Sequence, residues 1–481
     1  MICISLTSTD LDKLHKDMSR AAKLADVIEV RLDYLPDNID IGAVLAGRPK
    51  PVIVTCRRVE DGGLYDSDDR VRISQLIRAA ALGAEYIDIE LDAAREVRDV
   101  HARRIVSYHN FKSTPQNLAD VQKQAIDAGA DIVKIAVMAN SQDDNLRVFD
   151  LLKKSQVPTA AFCMGELGTI SRILGRKFGS RITYAALDRG LESAPGQLAA
   201  AELRELYRYH KIGPETAVYG VIANPVAHSM SPAIHNAAFS ETGIDAIYLP
   251  FKVDEPVSFV NAFKAIDVQG YSVTIPHKET IMPAMDEIDA TARKIGAINT
   301  VVNRGGRLFG YNTDYIAAVG ELEKATELRG RKALMIGAGG GARAIAFGLV
   351  QKGVKLTVTD IASEKAQKLA DDVHCSWDYI DHVRAPEVDI LLNATPIGMH
   401  PKTDESPVPA DWLRPETVVF DIVYNPIETR LLREARRRGC KTVSGFDMFV
   451  SQAVAQFELW TGRKAPVATM ADVVRRRLTQ Q

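Results

Sequence analysis

Short apolar, β-rich runs recur along the first 210 positions, each followed by a stretch with helical spacing. They are ICISL from Ile2, VIEVRL from Val27, VIVTCR from Val52, YIDIEL from Tyr86, RIVSYH from Arg104, IVKIAV from Ile132, TAAFCM from Thr159 and ITYAAL from Ile182. Between them lie amphipathic segments such as SQLIRAAALGA and LADVQKQAIDAGA, both ending at a Gly-Ala stop. Eight strands alternating with helices predict parallel β-α units, and eight is the number that closes a (β/α)8 TIM barrel. The competing arrangement is an open doubly wound sheet, which usually takes fewer strands in this length.

The pattern stops near Tyr209. Gly213 and Pro214 in HKIGPETAVYG precede a new strand, VYGVIAN, so a short linker at about 211–216 follows a barrel of residues 1–211. The rest again alternates strand and helix. Its centre, KALMIGAGGGARAIAFGLVQKGVKLTVTD, reads as strand, glycine turn, helix and strand, a Rossmann-type unit ending in an acid. The expected organisation is an α/β substrate domain at 217–318, completed by about 450–481, and a dinucleotide-binding domain at 319–449.

Composition narrows the class. The chain has 481 residues, 46% hydrophobic and 25% charged, which excludes wholesale disorder. Sixty Lys+Arg against 62 Asp+Glu leave a net charge of −2, giving no electrostatic reason to expect nucleic acid or an anionic membrane as partner. No apolar run approaches the roughly 18 residues that cross a bilayer. The opening MICISLTSTD lacks the basic n-region of an export signal. Five scattered cysteines without a CxxC argue against a disulfide framework or a cysteine-rich zinc site. A cytoplasmic protein without a metal centre is the expectation.

In such a barrel, chemistry collects at the C-terminal strand ends. The polar residues there are Glu29, Arg31, Arg57, Asp88, Glu90, His109 and Lys134. Lys134 interrupts Ile132–Val137, where a parallel strand should be apolar on both faces. Desolvation disfavours an ammonium, so the neutral amine becomes available to form an imine with a ketone. On spacing alone, a structural lysine paired to a carboxylate is an equal reading. His109 shifts that balance, because Schiff-base chemistry needs a proton carrier titrating in the right range. Arg31, Arg57 and Arg172 would attract a small carboxylate.

The segments VRLD, TCRRVEDGG, YIDIEL, SYHNFKSTP, DIVKIAVM, GTISRILG and SAPGQLA, in this order over residues 1–210, resemble type I 3-dehydroquinate dehydratase. The resemblance implies that Lys134 forms the imine and His109 is the general acid/base. It further implies that Ser5, Glu29, Arg31, Arg57, Arg172, Ser193 and Gln197 hold the substrate's hydroxyls and carboxylate. The implied mechanism is imine formation at the ketone, removal of the adjacent proton, loss of water, and hydrolysis. The family usually has Glu directly before the Gly pair of VEDGG. Here Asp61 stands there with Glu60 before it, which leaves open which of the two orients His109.

In the second half, Gly337-Ala338-Gly339-Gly340-Gly341-Ala342 follows an apolar strand and opens a helix, and an acid, Asp360, lies about twenty residues on. The glycines let backbone N–H groups approach a pyrophosphate. Ser229, Ser231, Thr274, Asn299 and the pair Lys278 and Asp314 suit a polyhydroxylated acid whose ketone is reduced, with Lys278 donating the proton. The segments NPVAHSMSPAIHN, SVTIPHKE, GAINT, YNTD, GAGGGAR, NATPIGM and GFDMFVSQA resemble shikimate dehydrogenase over residues 217–481. The resemblance makes Lys278 and Asp314 the catalytic pair and Ser229, Ser231, Thr274, Asn299 and Gln452 the shikimate-binding residues. It assigns Gly337, Gly339, Gly340, Gly341, Ala342 and Gly445 to the cofactor.

That family's second Rossmann strand usually ends in Asn-Arg-Thr or Asn-Arg-Ser, its arginine meeting the NADP 2′-phosphate. Here it ends Thr359-Asp360-Ile361, and a carboxylate suits a free ribose diol. NADP(H) is therefore the cofactor by resemblance, while Asp360 argues for NAD(H) or a relaxed preference; Lys365 stands nearby as a possible phosphate contact. Taken together, the chain reads as a bifunctional enzyme that dehydrates 3-dehydroquinate to 3-dehydroshikimate and reduces that product to shikimate. The rivals are a Schiff-base aldolase fused to another dehydrogenase, and a non-catalytic metabolite-binding regulator.

Overall fold

A parallel strand buried on both faces must be apolar nearly throughout, and the N-terminal runs meet that condition. They form β1 (Ile2–Leu6), β2 (Val27–Arg31), β3 (Val52–Thr55), β4 (Tyr86–Glu90), β5 (Arg103–Asn110), β6 (Ile132–Met138), β7 (Thr159–Met164) and β8 (Thr183–Ala186) in the computed structural model, which describes residues 1–227, 229–383 and 387–479. All pair in parallel, in the order β7-β6-β5-β4-β3-β2-β1-β8. The two ends of this order meet through a backbone hydrogen bond from Arg181 N–H to Thr159 O, 2.7 Å, so the sheet is a nearly closed barrel.

The period of two decides what fills the barrel. Cys3, Val27, Ile53, Ile105, Ile132, Ala160 and Ile182 join one apolar cluster. Two residues further along each strand, the same face carries Ser5, Glu29, Thr55, Ser107, Lys134, Phe162 and Tyr184. The register sets Asp88 opposite Thr55, Glu90 opposite Ser107 and Ser107 opposite Lys134. An apolar floor thus supports a polar layer at the strands' C-terminal ends.

The chain divides into two compact units, residues 1–217 with 245–253 and residues 218–244 with 254–481. Beyond the barrel come β9 (Ala217–Ala223), β10 (Ala246–Lys252), β11 (Val268–Val273), β12 (Glu287–Ile288), β13 (Thr300–Arg304) and β14 (Arg307–Tyr311), in the order β10-β9-β11-β13-β14-β12. In this mixed sheet β9 and β11 run parallel, whereas β13 runs against both β11 and β14. The C-terminal ends of β9, β11 and β14 and the start of β13 therefore share one edge.

The third sheet is wholly parallel. Its strands are β15 (Lys332–Ile336), β16 (Lys355–Thr359), β17 (Ser376–Trp377), β18 (Ile390–Asn393), β19 (Val418–Asp421) and β20 (Lys441–Ser444), ordered β17-β16-β15-β18-β19-β20. This is the doubly wound order whose direction reverses between β15 and β18, where dinucleotides bind. Helix Gly445–Thr461 follows β20, and helix Val467–Thr479 returns to pack on helix Ser231–Glu241 of the second unit.

Gly445 starts its helix pressed against β19's exit. A Cβ there would lie 2.3 Å from Ile422 O and 2.4 Å from Ile422 C, backbone atoms that cannot yield like a side-chain tip. Gly445→Ala should therefore destabilise the C-terminal unit by about 3 kcal/mol. All three tryptophans, Trp377, Trp412 and Trp460, belong to that unit, so a lowered midpoint in fluorescence-monitored urea unfolding is the expected readout.

Candidate active sites

The barrel mouth gathers Ser5, Glu29, Arg31, Arg57, His109, Lys134, Arg172, Ser193 and Gln197, every residue the family resemblance assigned there, around a single cavity. Its organising feature is a buried alternation of charge. Lys134 Nζ lies 2.8 Å from Asp88 Oδ2 and 3.5 Å from Glu29 Oε1. The other Asp88 oxygen accepts from Arg57 Nη2 at 2.6 Å, while Arg57 Nη1 reaches Glu90 Oε1 at 2.7 Å and Ser107 Oγ at 2.8 Å. Glu90 in turn pairs with Arg72, whose Nε donates to Asp69 Oδ1 at 2.6 Å near the surface. Glu29 also accepts from Ser5 Oγ and, at 2.9 Å, from Thr55 Oγ1.

This geometry corrects two sequence-based expectations. Lys134 is buried, but its surroundings are not simply apolar, because β2 and β4 present carboxylates to the amine. Of the three arginines expected to draw a carboxylate, two are already neutralised. Arg31 makes a forked pair with Asp33 at 2.8 and 2.6 Å, and Arg57 is bonded to Asp88 and Glu90. Arg172 remains: Nε and Nη1 have no hydrogen-bond partner, and Nη2 reaches Pro195 O at 3.3 Å. Burial without a counter-ion pushes its pKa down to about 10, so an incoming carboxylate is strongly favoured.

Electrostatics follow the same network. Burial opposes ionisation of Asp88 and Glu29, yet for Asp88 the neighbouring Arg57 and Lys134, and for Glu29 the neighbouring Lys134 and Arg31, hold the carboxyl below its usual range. His109 is driven well below the ordinary imidazole value, first by burial and then by Arg57 and Lys134. Its Nδ1 has no hydrogen-bond partner, and its ring stacks over Phe111 at 6.2 Å. Asp61 and Glu60 both pair with Arg58 instead, so neither orients His109 in this structure.

The sequence did not single out Asp33, Arg72, Phe162 or Tyr184. Asp88 was recognised only as a polar strand position. Its inward register, two residues from Glu90, was a usable signal. Arg72, on helix Asp69–Ala81, resembled an ordinary solvated arginine but is fully buried.

In the C-terminal unit, the shared edge of the mixed sheet collects the second set. Ser229 and Ser231 follow β9, Thr274 and Lys278 follow β11, Asn299 leads into β13, and Asp314 follows β14. Lys278 Nζ contacts Asp314 Oδ2 at 2.7 Å. Asn299 is engaged by its own neighbours: Oδ1 accepts from Thr313 N–H (2.7 Å) and Thr300 Oγ1, and Nδ2 donates to Thr313 Oγ1. Its visible role is to fix the loop that carries Asp314. Ser229 Oγ accepts from Ser231 N–H, and Gln452 Nε2 donates to Phe449 O. Gln456, one turn beyond Gln452, bonds Ser272 Oγ at 2.7 Å and Asn299 O at 3.3 Å, tying this helix to the edge, a role no motif in the chain signals.

The glycine turn has the form a dinucleotide needs. Gly337 has φ +109°, and a Cβ there would sit 2.7 Å from Ala394 O; positions 339 and 340 face open space. Helix Gly340–Gln351 starts there, Gly341 follows on its first turn, and Ala342 is fully buried beneath. Asp360 accepts from Ala338 N–H at 2.8 Å and Ala362 N–H at 2.9 Å, so the acid also braces the turn. Asn393 Oδ1, accepting from Thr395 N–H and Oγ1, shapes the facing loop after β18.

Family models match residues 2–214 as type I 3-dehydroquinase, 221–301 as the shikimate dehydrogenase substrate binding domain and 445–475 as the shikimate 5′-dehydrogenase C-terminal domain. A chloroplastic bifunctional 3-dehydroquinate dehydratase/shikimate dehydrogenase of Arabidopsis thaliana is 39% identical over 97% of this chain and 83% of that protein. A shikimate dehydrogenase (NADP(+)) of Moorella thermoacetica is 41% identical, over 55% of this chain and 95% of that protein. The crystal structure of Listeria monocytogenes shikimate 5-dehydrogenase with shikimate and NAD superposes with a TM-score of 0.51 at 35% identity, covering 54% of this chain and 96% of that one.

An imidazole held well below its ordinary value stays neutral until the pH falls through that lowered pKa. The His109 ring should therefore remain unprotonated through pH 6.5 and take up its proton only well below it. An NMR titration of the His109 ring in the intact chain checks this; a midpoint at or above 6.5 contradicts it.

Proposed function

The chain belongs to the family of bifunctional 3-dehydroquinate dehydratase/shikimate dehydrogenases, and on that premise we propose how its residues divide the two reactions. The barrel, proposed as residues 1–211, dehydrates 3-dehydroquinate. Arg172 receives the substrate carboxylate, with Ser193 and Gln197 closing over it. Lys134 Nζ, once deprotonated, attacks the ketone, and loss of water from the carbinolamine leaves an iminium. His109, neutral and buried, takes the proton from the adjacent carbon, and the electron pair moves into the iminium. The electron pair then returns from the enamine to expel the substrate hydroxyl, which takes the proton held by His109 and leaves as water, and hydrolysis of the imine restores Lys134. The observation supporting this assignment is the amine, the unpartnered His109 Nδ1 and the unpaired Arg172 around one cavity.

The second reaction reduces 3-dehydroshikimate to shikimate in the C-terminal unit. We propose 217–318 with 450–481 as its substrate domain and 319–449 as its dinucleotide domain. Ser229, Ser231, Thr274, Asn299 and Gln452 bind the substrate's hydroxyls and carboxylate. Lys278, held by Asp314, delivers a proton to the ketone oxygen. The reduced nicotinamide dinucleotide supplies the hydride. Gly337, Gly339, Gly340, Gly341 and Ala342 leave room for its pyrophosphate at the helix start, and Gly445 lets helix Gly445–Thr461 begin against the exit of β19. The relatives of this half include NADP(+) enzymes, but the carboxylate of Asp360 at the end of β16 favours a free ribose diol, giving NAD(H) preference or relaxed choice. The described residues include no helix long and apolar enough to cross a membrane. The five cysteines are all free, as suits the reducing cytoplasm we propose as its compartment.

Lys134→Ala should lower dehydration on the order of 10^4-fold or more while sparing shikimate oxidation. A coupled assay from 3-dehydroquinate through to shikimate measures both, and loss of both activities contradicts the division. Asp360→Arg should move the NADP/NAD ratio of kcat/KM toward NADP by on the order of tenfold, about 1.4 kcal/mol. A strong NADP preference in the unaltered chain refutes the role given to Asp360.

A further inference from the structure

Lys134 has a neutral neighbour as well as charged ones. The face of Tyr184 lies beneath Nζ, 4.0 Å from the ring centroid, and the residue is only 3% exposed. Phe162 packs against Tyr184 at 5.8 Å between centroids, and Arg172 stands over Phe162 at 4.4 Å. Two aromatic rings thus link Lys134 to Arg172 across the cavity. The Tyr184 hydroxyl is buried without a hydrogen-bond partner, so the side chain is not positioned by its polar end.

We propose that Tyr184 is a further catalytic residue of the barrel, its ring carrying the positive charge of the Lys134 iminium. The inference rests on Lys134 as the imine-forming residue. As an ammonium, Nζ has three N–H donors for Asp88 and Glu29. When Nζ attacks the ketone and water leaves, the charge stays on nitrogen but only one N–H remains, so contact with the carboxylates weakens. Attraction to a ring face needs no N–H and persists through the step. It stabilises the species whose C=N bond accepts the electron pair released by deprotonation.

The test incorporates phenylalanine, 4-fluoro-, 3,5-difluoro- and 3,4,5-trifluorophenylalanine at position 184 of the full chain. Fluorine drains the ring face of negative potential with little change of shape. Relative to Tyr184→Phe, dehydration kcat and the borohydride-trapped Lys134 adduct should fall stepwise, reaching roughly 5- to 30-fold for the trifluoro ring. Thermal unfolding of the same molecules followed by circular dichroism reports that the barrel is folded, and shikimate oxidation reports the C-terminal unit. A flat series overturns the proposal, as does a Tyr184→Phe reference without measurable dehydration, since the ring alone would then not hold the charge. Absence of a trapped adduct on Lys134 in the unaltered chain removes the imine assignment instead.

Discussion

Everything in the barrel depends on keeping charge inside a protein with an opposite charge beside nearly every group. An isolated buried ion costs several kcal/mol, and removing one partner of a buried pair costs about 3–5 kcal/mol because the other is stranded. The sequence Lys134, Asp88, Arg57, Glu90, Arg72, Asp69 meets this by alternation, each side chain touching opposite charges. The chain of pairs begins at the reactive amine and ends near solvent. Arg72 is therefore remote from the substrate yet bears on it: it holds Glu90, which holds Arg57, which holds Asp88 against the lysine.

The balance is deliberately incomplete. Arg31, Arg57, Arg72, Lys134 and Arg172 are five buried cations, facing four buried carboxylates on Glu29, Asp33, Asp88 and Glu90. One positive charge is left over, and the pairings place it on Arg172. A monocarboxylate entering the cavity completes the set. Burial first, and then the positive charge of Arg57 and Lys134, keeps His109 unprotonated, since an imidazolium would add a further cation beside them.

How much of this was legible in the sequence follows from which signals are local. The eight strands were, because their apolar runs have nothing to confuse them with. The site-lining residues of the barrel were, because each stands at a strand end or in a neighbouring loop. Pairing was not: whether Arg31 faces a substrate or Asp33 depends on side-chain geometry that no spacing encodes. Tyr184 in ITYAAL looks like core, and it is core on one side and active site on the other. The order of the third sheet was legible only at its glycine turn, and the bracing of that turn by Asp360 was hidden behind the acid's expected role toward a ribose.

The two halves each set a lysine against an aspartate, at 2.8 Å in the barrel and 2.7 Å in the C-terminal unit, yet the chemistry demands opposite things of them. In the proposed reactions Lys134 surrenders a proton to become a nucleophile, whereas Lys278 carries one to give away. Burial tells them apart. Lys134 keeps 7% of its side chain exposed and is enclosed by Asp88, Glu29 and the face of Tyr184. Lys278 and Asp314 keep 15% and 11% of their side chains exposed, enough for solvent to return the proton after each turnover. The same ion pair thus becomes the setting of a nucleophile or of an acid according to whether water reaches it.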